Sequence, residues 1–248
     1  MAEPALLILG GTTLAVALAR AAAGLGIPVI YSLAGRTRPK SVPDVAVRMG
    51  GFGGAAALAD YLRQKNILAV VDATHAYAAQ ISENARLACH AARRPLLRLQ
   101  EAPWRQMPGD HWQQVANMTA ARDTAAKTTA RVFVSTGRQA MTEFADDRRC
   151  WWLARVIAPG ADLPALSNGQ YVFARGPFEL ADELALLREH RISAVISKNA
   201  GSTATYAKIA AARELSLPVI MIARPDAVAA PMVETVANAH AWLKDRLG

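Results

Sequence analysis

The amino-acid sequence predicts an α/β protein built from parallel sheets. Short apolar runs alternate with Ala-rich helical segments along most of the 248 residues, and strands separated by helices are typical of βαβ units. Two prolines and a Gly-Asp turn interrupt this alternation in the segment 102–112, as expected of a connection between domains. The length is sufficient for two small cores. We therefore predict two Rossmann-like domains in tandem, residues 1–111 and 112–248, with a ligand cleft between them.

Strands are predicted at the short apolar runs and helices at the Ala-rich segments between them. In the first half the predicted strands are Leu6–Leu9, Pro28–Tyr31, Val45–Arg48, Leu68–Ala73 and Leu96–Leu99. The predicted helices there are Thr13–Gly24, Ala55–Lys65 and Ala78–Ala92. In the second half the strands are Arg131–Ser135, Trp152–Ile157, Tyr171–Ala174, Ala194–Lys198 and Pro218–Ala223, and the helices are Phe178–His190, Thr203–Leu215 and Met232–Leu247.

Composition and charge restrict the class of protein. The chain is 52% hydrophobic and 19% charged, which indicates a compact globular protein rather than a disordered one. The two cysteines have neither metal-site nor disulfide-framework spacing, so we expect no metal and a reducing, cytoplasmic location. The net charge of +8 favours an acidic small molecule as partner. Scattered arginines argue against nucleic acid, and polar interruptions of the apolar N-terminal run argue against a membrane span.

The turn after the first strand is a candidate pyrophosphate site. It consists of Gly10, Gly11, Thr12 and Thr13, and a helix follows at once. Backbone N–H groups at a helix start bind phosphate with help from the helix dipole. The match to G-x-G-x-x-G is partial, because Thr12 replaces the middle glycine and Ala15 the last. The alternative is a plain capped turn with no ligand.

The loop after the second strand indicates which dinucleotide is bound. NAD enzymes carry an Asp or Glu at this place to bind the ribose hydroxyls. The sequence has no acid between Tyr31 and Lys40, but it has Arg36. Arg36 can form a bidentate pair with a phosphate, and Ser32 can supplement it. We therefore predict a 2′-phosphate site and NADPH as cofactor, with a solvated basic loop as the alternative.

Two further candidates lie at strand ends of the first half. Phe52 stands among four glycines, including Gly53, which allow a flat ligand to approach the backbone and stack. Thr74 and His75 follow the fourth strand at the edge where open sheets bind ligands. His75 is a candidate acid or orienting group, and a helix-entry residue is the alternative.

A second anion site is predicted where a strand of the second half runs into a helix. The segment supplies Lys198, Asn199, Ser202, Thr205 and Tyr206. We predict that Lys198 contacts a substrate carboxylate, because a capped turn alone does not explain a lysine there. Arg138 follows another strand and either contacts the substrate or forms a structural ion pair.

Taken in order, these motifs resemble a known family. The stretches LILGGTT, SLAGRT, RMGGFGG, VVDATH, ISENARLAC, GDHW, ARGPF and SKNAGSTATYAKIAAARELSLPVIMIARP span Leu7 to Pro225. The series resembles the precorrin-6A reductases of cobalamin biosynthesis. The chain departs from that pattern at Ala76 and Tyr77, where members often have Pro-Phe, and at Ser202, where many have glycine.

The resemblance implies an NADPH-dependent reductase that delivers hydride to one double bond of the precorrin-6A tetrapyrrole, giving precorrin-6B. It implies that the first half binds NADPH and the second half binds the macrocycle. Lys198 and His75 are candidates to supply a proton or to polarise the ring, a role that the resemblance does not assign. Two alternatives stay open. One is a reductase of another polyanion, such as the cobalt-containing precorrin, and the other is a non-catalytic NADPH-sensing protein. The sequence does not predict an oligomeric state.

Overall fold

The computed structural model describes residues 3–35, 45–128 and 130–247. The chain folds into two compact units, the first formed by residues 1–102 and 225–248 and the second by residues 103–224. Each unit contains one six-stranded sheet whose described strand pairs are all parallel. The predicted fold class, two parallel-sheet Rossmann-like domains, is therefore confirmed.

The first sheet has the strand order β12-β5-β4-β1-β2-β3. Its strands are β1 (Ala5–Leu9), β2 (Val29–Leu33), β3 (Ala46–Met49), β4 (Ile67–Asp72), β5 (Leu96–Leu99) and β12 (Met232–Val233). Its helices are α1 (Thr13–Ala22), α2 (Ala55–Gln64), α3 (Ala79–Ala92) and α7 (Val236–Leu247), and a short 3₁₀ turn, Ala23–Leu25, follows α1.

Strand β1 forms the centre of the first core, and all five of its residues are buried. Successive strand side chains point to opposite faces of a sheet. Leu6 and Ile8 accordingly pack in the cluster that contains residues of α1 and α7, whereas Leu7 and Leu9 pack in the cluster that contains residues of α2 and α3. Strands buried on both faces read as continuous apolar runs, which is why this run was recognisable in the sequence.

The second sheet has the order β6-β11-β10-β7-β8-β9. Its strands are β6 (His111–Val115), β7 (Arg131–Ser135), β8 (Trp151–Val156), β9 (Gly169–Phe173), β10 (Ala194–Lys198) and β11 (Pro218–Ile222). Its helices are α4 (Met118–Thr128), α5 (Leu180–Glu189) and α6 (Ala207–Glu214), with 3₁₀ turns at Arg138–Glu143 and Thr203–Thr205. Phe133, Leu153 and Val195 lie in the core on one face of this sheet.

Three elements differ from the sequence-based expectation. β6 and α4 were not predicted, because β6 reads HWQQV and is largely exposed at the sheet edge, so it offers no apolar run. β12 has two residues and was predicted as the start of a helix. Met232 pairs with Arg98 of β5, so residues 225–248 join the first unit, whereas the predicted boundary assigned them to the second.

Within the described ranges, no helix is both long and apolar enough to cross a bilayer.

Candidate functional site

The strand order of each sheet reverses at one central pair of strands, β1 and β4 in the first and β7 and β10 in the second. In open α/β sheets, ligands bind outside the carboxyl ends of the strands at such a reversal. Gly10 and Ala73 follow the strands of the first pair, and Thr136 and Asn199 follow those of the second. Most of the predicted site residues therefore belong to the two edges where this fold class binds ligands.

The Gly10–Gly11 turn is packed against the ring of Tyr31. A Cβ at Gly10 would lie 2.2 Å from Tyr31 Cε2, so only glycine fits there. The N–H of Gly11 donates to the Tyr31 hydroxyl at 3.1 Å, and Gly11 has a φ of +124°, which favours glycine. Burial raises the pKa of Tyr31, so its hydroxyl stays protonated. Tyr31 thus sets the shape of the turn that enters α1.

Thr12 is the N-cap of α1. Its Oγ1 accepts from the N–H of Ala15 at 3.1 Å and donates to the carbonyl oxygen of Ala73 at 2.8 Å. The hydroxyl of Thr12 therefore joins the turns after β1 and β4, which is the capping role that the sequence left open. The N–H groups of Thr13 and Leu14 precede the first intrahelical bond, from Val16 to Thr12, and have no partner inside the helix. These two N–H groups can donate hydrogen bonds to an anion.

Ser32 and Arg48 lie opposite each other on β2 and β3. Ser32 is buried, and its Oγ lies 3.4 Å from Arg48 Nη1. Arg48 also donates to the carbonyl oxygens of Gly50 at 2.5 Å and Gly51 at 2.9 Å. The guanidinium thereby organises the glycine-rich turn that follows β3.

Phe52 was predicted to stack on a ligand, and in the structure it stacks on Arg48. The Arg48 guanidinium carbon lies 3.7 Å from the Phe52 ring centroid. Tyr61 packs edge-on against Phe52 with ring centroids 5.1 Å apart. Gly53 has a φ of +85°, as expected of a glycine that a turn requires. The structure gives Phe52 a structural partner inside its own unit.

Thr74 belongs to a buried polar cluster at the end of β4. Its Oγ1 and N–H donate to Asp72 Oδ1 at 2.6 and 3.1 Å. Asp72 Oδ2 accepts from Arg98 Nε at 3.3 Å, and both side chains of this ion pair are buried. A buried charge is tolerated when it is paired and hydrogen-bonded in this way. Thr74 therefore belongs to a buried hydrogen-bond network with Asp72 and Arg98 that supports the fold.

His75 is exposed, and its Nδ1 accepts from the N–H of Tyr77 at 3.3 Å. The two rings lie 5.6 Å apart.

The second unit presents an aromatic groove at the corresponding edge. It has a volume of about 380 Å³ and is lined by Trp104, Arg105, Met107, Gly201, Thr203 and Tyr206. The rings of Trp104 and Tyr206 meet edge-to-face at 5.6 Å. Arg105 is exposed and adds a positive charge. An apolar wall with a cation at its rim suits a flat, carboxylated ligand.

The loop after β10 holds the wall of this groove. Asn199 Oδ1 accepts from the N–H of Trp104 at 2.7 Å, and Asn199 Nδ2 donates to the carbonyl oxygen of Trp104 at 2.9 Å. Arg224 in turn donates to the carbonyl oxygens of Asn199 and Ala200 at 2.8 and 3.0 Å. Asn199 was predicted as a substrate contact, and the structure gives its side chain a positioning role.

Lys198, Ser202 and Thr205 lie around the same turn. Lys198 is partly buried, and burial lowers its pKa. Ser202 precedes the 3₁₀ turn, and Thr205 Oγ1 lies 3.5 Å from the carbonyl oxygen of Ser202. The Tyr206 hydroxyl accepts from Arg213, which also binds Asp110 at 2.8 Å. The turn is therefore fixed mainly by bonds within its own unit.

Lys208 is buried beneath the groove. Its Nζ donates to the carbonyl oxygen of Thr205 at 2.6 Å and lies 4.9 Å from the Trp104 ring centroid. Burial, with a smaller contribution from Arg155, lowers the pKa of Lys208 to about 7, while Glu183 opposes that shift. Arg155 and Glu183 form a buried bidentate ion pair.

Arg138 pairs with Asp162 at 2.5 Å and also donates to the carbonyl oxygen of Ala158. The ion-pair alternative is thus realised in this structure. Arg36 lies outside the described residues. The sequence analysis did not select Arg48, Trp104 or Lys208 as site residues. Arg48 adjoins the glycine-rich turn and Lys208 ends the segment that begins at Ser197, so two of the three had a signal in the sequence.

The fold and the carboxyl ends of the two sheets define a two-domain α/β protein. Its first unit has a glycine-containing turn at the start of α1, and its second unit has an aromatic groove. Residues 5–244 match the family model described as "Precorrin-6x reductase CbiJ/CobK". The chain belongs to this family and is therefore a reductase.

Relatives and a solved structure agree with this assignment. The chain is 45% identical over 240 residues to "Precorrin-6A reductase" of Rhodococcus erythropolis, covering 96% of each chain. It is 40% identical over 240 residues to the protein of the same name from Rhodobacter capsulatus, covering 97% of this chain and 96% of that one. A solved structure, "CobK precorrin-6A reductase", has a TM-score of 0.90 and 39% identity over 99% of this chain and 97% of that one.

Proposed function

We propose that this chain uses NADPH to reduce one double bond of precorrin-6A, giving precorrin-6B. The observation that carries the proposal is the Gly10–Thr13 turn at the strand-order reversal of a chain that matches the precorrin-6x reductase family over residues 5–244. Curated relatives at 40–45% identity are named precorrin-6A reductases, so this substrate is the one to test first.

The first unit fits a dinucleotide. A Cβ added at Gly11 would meet no described atom within 4 Å. The N–H groups of Thr13 and Leu14, which have no partner inside the helix, begin a ten-residue helix whose dipole favours an anion. Among the described residues at the carboxyl end of β2, none is acidic. An acid there would repel a 2′-phosphate, so its absence supports NADPH over NADH. NADPH, when bound, would supply the hydride.

The second unit would bind the macrocycle. Trp104 and Tyr206 offer apolar ring surface to a tetrapyrrole, and Arg105 offers a charge to one of its carboxylates. Lys198 lies at the carboxyl end of β10, the same sheet edge, and is proposed as a second carboxylate contact. The net charge of +8 favours the approach of such a polyanion.

The reaction needs a proton as well as a hydride, since the two carbons of the reduced bond each gain a hydrogen. His75 and Lys198 are the proposed donors. Burial lowers the pKa of Lys198, which makes its ammonium group a better acid than an exposed lysine. His75 has an exposed imidazole ring in the turn that follows β4. A variant that removes the donor would lower kcat and change the pH profile while leaving NADPH affinity intact.

The test is an anaerobic absorbance trace of the purified protein with precorrin-6A and NADPH, with NADH and cobalt-precorrin-6A in parallel reactions. Loss of nicotinamide absorbance with a matching change in the macrocycle spectrum, faster with NADPH, supports the proposal. Turnover of the cobalt form alone would overturn the substrate assignment. NADPH binding without turnover of either macrocycle would overturn the reaction and favour a sensing role.

A further inference from the structure

Arg48 lies where a Rossmann-type sheet binds the ribose of a dinucleotide. The ribose-binding residue of such sheets stands at the carboxyl end of the second strand. In this chain Ser32 occupies that end, and Arg48 faces it from β3, with Nη1 3.4 Å from Ser32 Oγ. A cation thus stands beside the position where NAD enzymes place an acid.

The guanidinium is held in one orientation. Nη1 donates to Gly50 and Nη2 to Gly51, and one guanidinium face lies on the Phe52 ring at 3.7 Å. Stacking and carbonyl contacts fix the plane before any ligand arrives, which lowers the entropy lost on binding.

The contacts of Arg48 leave part of its donor set unused. A guanidinium has five N–H groups, and the three bonds described above engage both hydrogens of Nη1 and one of Nη2. Nε–H and the second N–H of Nη2 have no acceptor among the described residues. No described carboxylate pairs with this arginine, so its charge is not neutralised within that part of the chain. Two free donors and an unpaired charge are what a bidentate bond to a phosphate requires.

We propose that Arg48 binds the 2′-phosphate of NADPH and discriminates it from NADH. The inference rests on the proposed function, because it concerns the adenosine end of the same cofactor. Ser32 and the carbonyl oxygens of the glycine-rich turn hold the guanidinium toward the ribose, and Phe52 supports it from behind. Loop organisation alone would serve NADH and NADPH equally, so only the phosphate contact separates the two cofactors.

The experiment is calorimetric titration of the full chain with NADPH, NADH, adenosine 2′,5′-bisphosphate and adenosine 5′-monophosphate. Arg48→Ala should weaken NADPH and the bisphosphate about tenfold or more, as expected for loss of a charge-assisted bidentate contact, and NADH and the monophosphate about twofold at most. Arg48→Lys keeps the positive charge and the aliphatic part of the side chain but loses the bidentate guanidinium. Its affinity for NADPH and the bisphosphate should therefore lie between those of Arg48→Ala and the parent protein. A circular dichroism melt of each variant establishes that it is folded.

Arg86→Ala is the matched control, because it removes one positive charge from the same unit at a partly buried position of α3 paired with Glu83. It should leave all four affinities unchanged. Equal losses for NADPH and NADH in Arg48→Ala would overturn the inference while leaving the proposed reaction standing. If the parent protein binds NADPH no more tightly than NADH, the proposed choice of cofactor is refuted. That result is obtained from the parent protein alone, before any variant is compared.

Discussion

The side-chain amide of Asn199 binds both backbone polar groups of Trp104, accepting from its N–H at 2.7 Å and donating to its carbonyl oxygen at 2.9 Å. The two residues are 95 positions apart in the chain. The loop after β10 therefore fixes the segment that supplies one wall of the aromatic groove. The same amide satisfies backbone groups that would otherwise need water.

Replacing Asn199 with Ala should destabilise the protein, because it leaves two backbone groups of Trp104 without partners. We expect the free energy of unfolding to fall by about 1–3 kcal/mol, measured by urea unfolding. Asn84→Ala is the control, since Asn84 makes an exposed bond to Gln80 on a helix surface. An unchanged free energy of unfolding in Asn199→Ala would show that the two hydrogen bonds between Asn199 and Trp104 do not stabilise the fold.

Lys208 should make stability depend on pH above neutrality. Its pKa in the folded protein is about 7, against an ordinary value of 10.5, so between these values the unfolded chain binds more protons. Stability contributed by this site therefore rises as the pH increases from about 7 toward 10.5, by up to about 1.4 kcal/mol per pH unit. Below pH 7 both states are protonated, and the full cost of burying the charge is present.

Lys208→Met is the variant that isolates this effect. Relative to the parent protein, it should be most stable at pH 6 and lose that advantage as the pH approaches 10. Lost hydrogen bonding to Thr205 adds a constant offset but no slope. Urea unfolding of both proteins at matched pH values gives the difference, and parallel curves would contradict the lowered pKa.

Gly10→Ala should disrupt the first turn, because the new Cβ would meet the Tyr31 ring at 2.2 Å. Moving Tyr31 also breaks its bond to the Gly11 N–H. We expect a loss of about 2 kcal/mol or more in unfolding free energy, as for overpacked cores, together with weaker dinucleotide binding. Gly24→Ala is the control, since its Cβ meets nothing within 4 Å and its φ is not positive. Equal melting temperatures for the two variants would contradict the close packing at Gly10.

Glu183→Gln should be strongly destabilising. It removes the carboxylate that pairs with buried Arg155 and leaves Arg155 uncompensated near Lys208. Breaking a buried pair in this way costs about 3–5 kcal/mol. Asp162→Asn, which breaks the Arg138 pair at a carboxylate whose side chain is 73% exposed, should have little effect on thermal stability. Equal losses of stability in the two variants would contradict the expectation that the buried Glu183–Arg155 pair matters more than the exposed Asp162–Arg138 pair.

The fold class could be predicted from the sequence, because the apolar strands and the Ala-rich helices are local patterns that can be read along the chain. It also located the turn at Gly10–Thr13, since a helix cap and a glycine with positive φ depend on neighbouring residues. It did not show that Thr12 binds Ala73, 61 positions later, or that Phe52 stacks on Arg48. Those contacts form only when separate strands are brought to one edge.

Which polar residues support the fold is visible only in the tertiary contacts. Strand β12 joins the first sheet through two residue pairs, Met232 with Arg98 and Val233 with Leu99, which no local sequence pattern predicts. Asn199 and Arg138, which the sequence offered as substrate contacts, acquire partners at Trp104 and Asp162. Lys208 is an ordinary helical lysine in the sequence, and only burial beneath the groove lowers its pKa. Burial and long-range pairing depend on the whole chain, because residues distant in sequence supply the surroundings of each side chain.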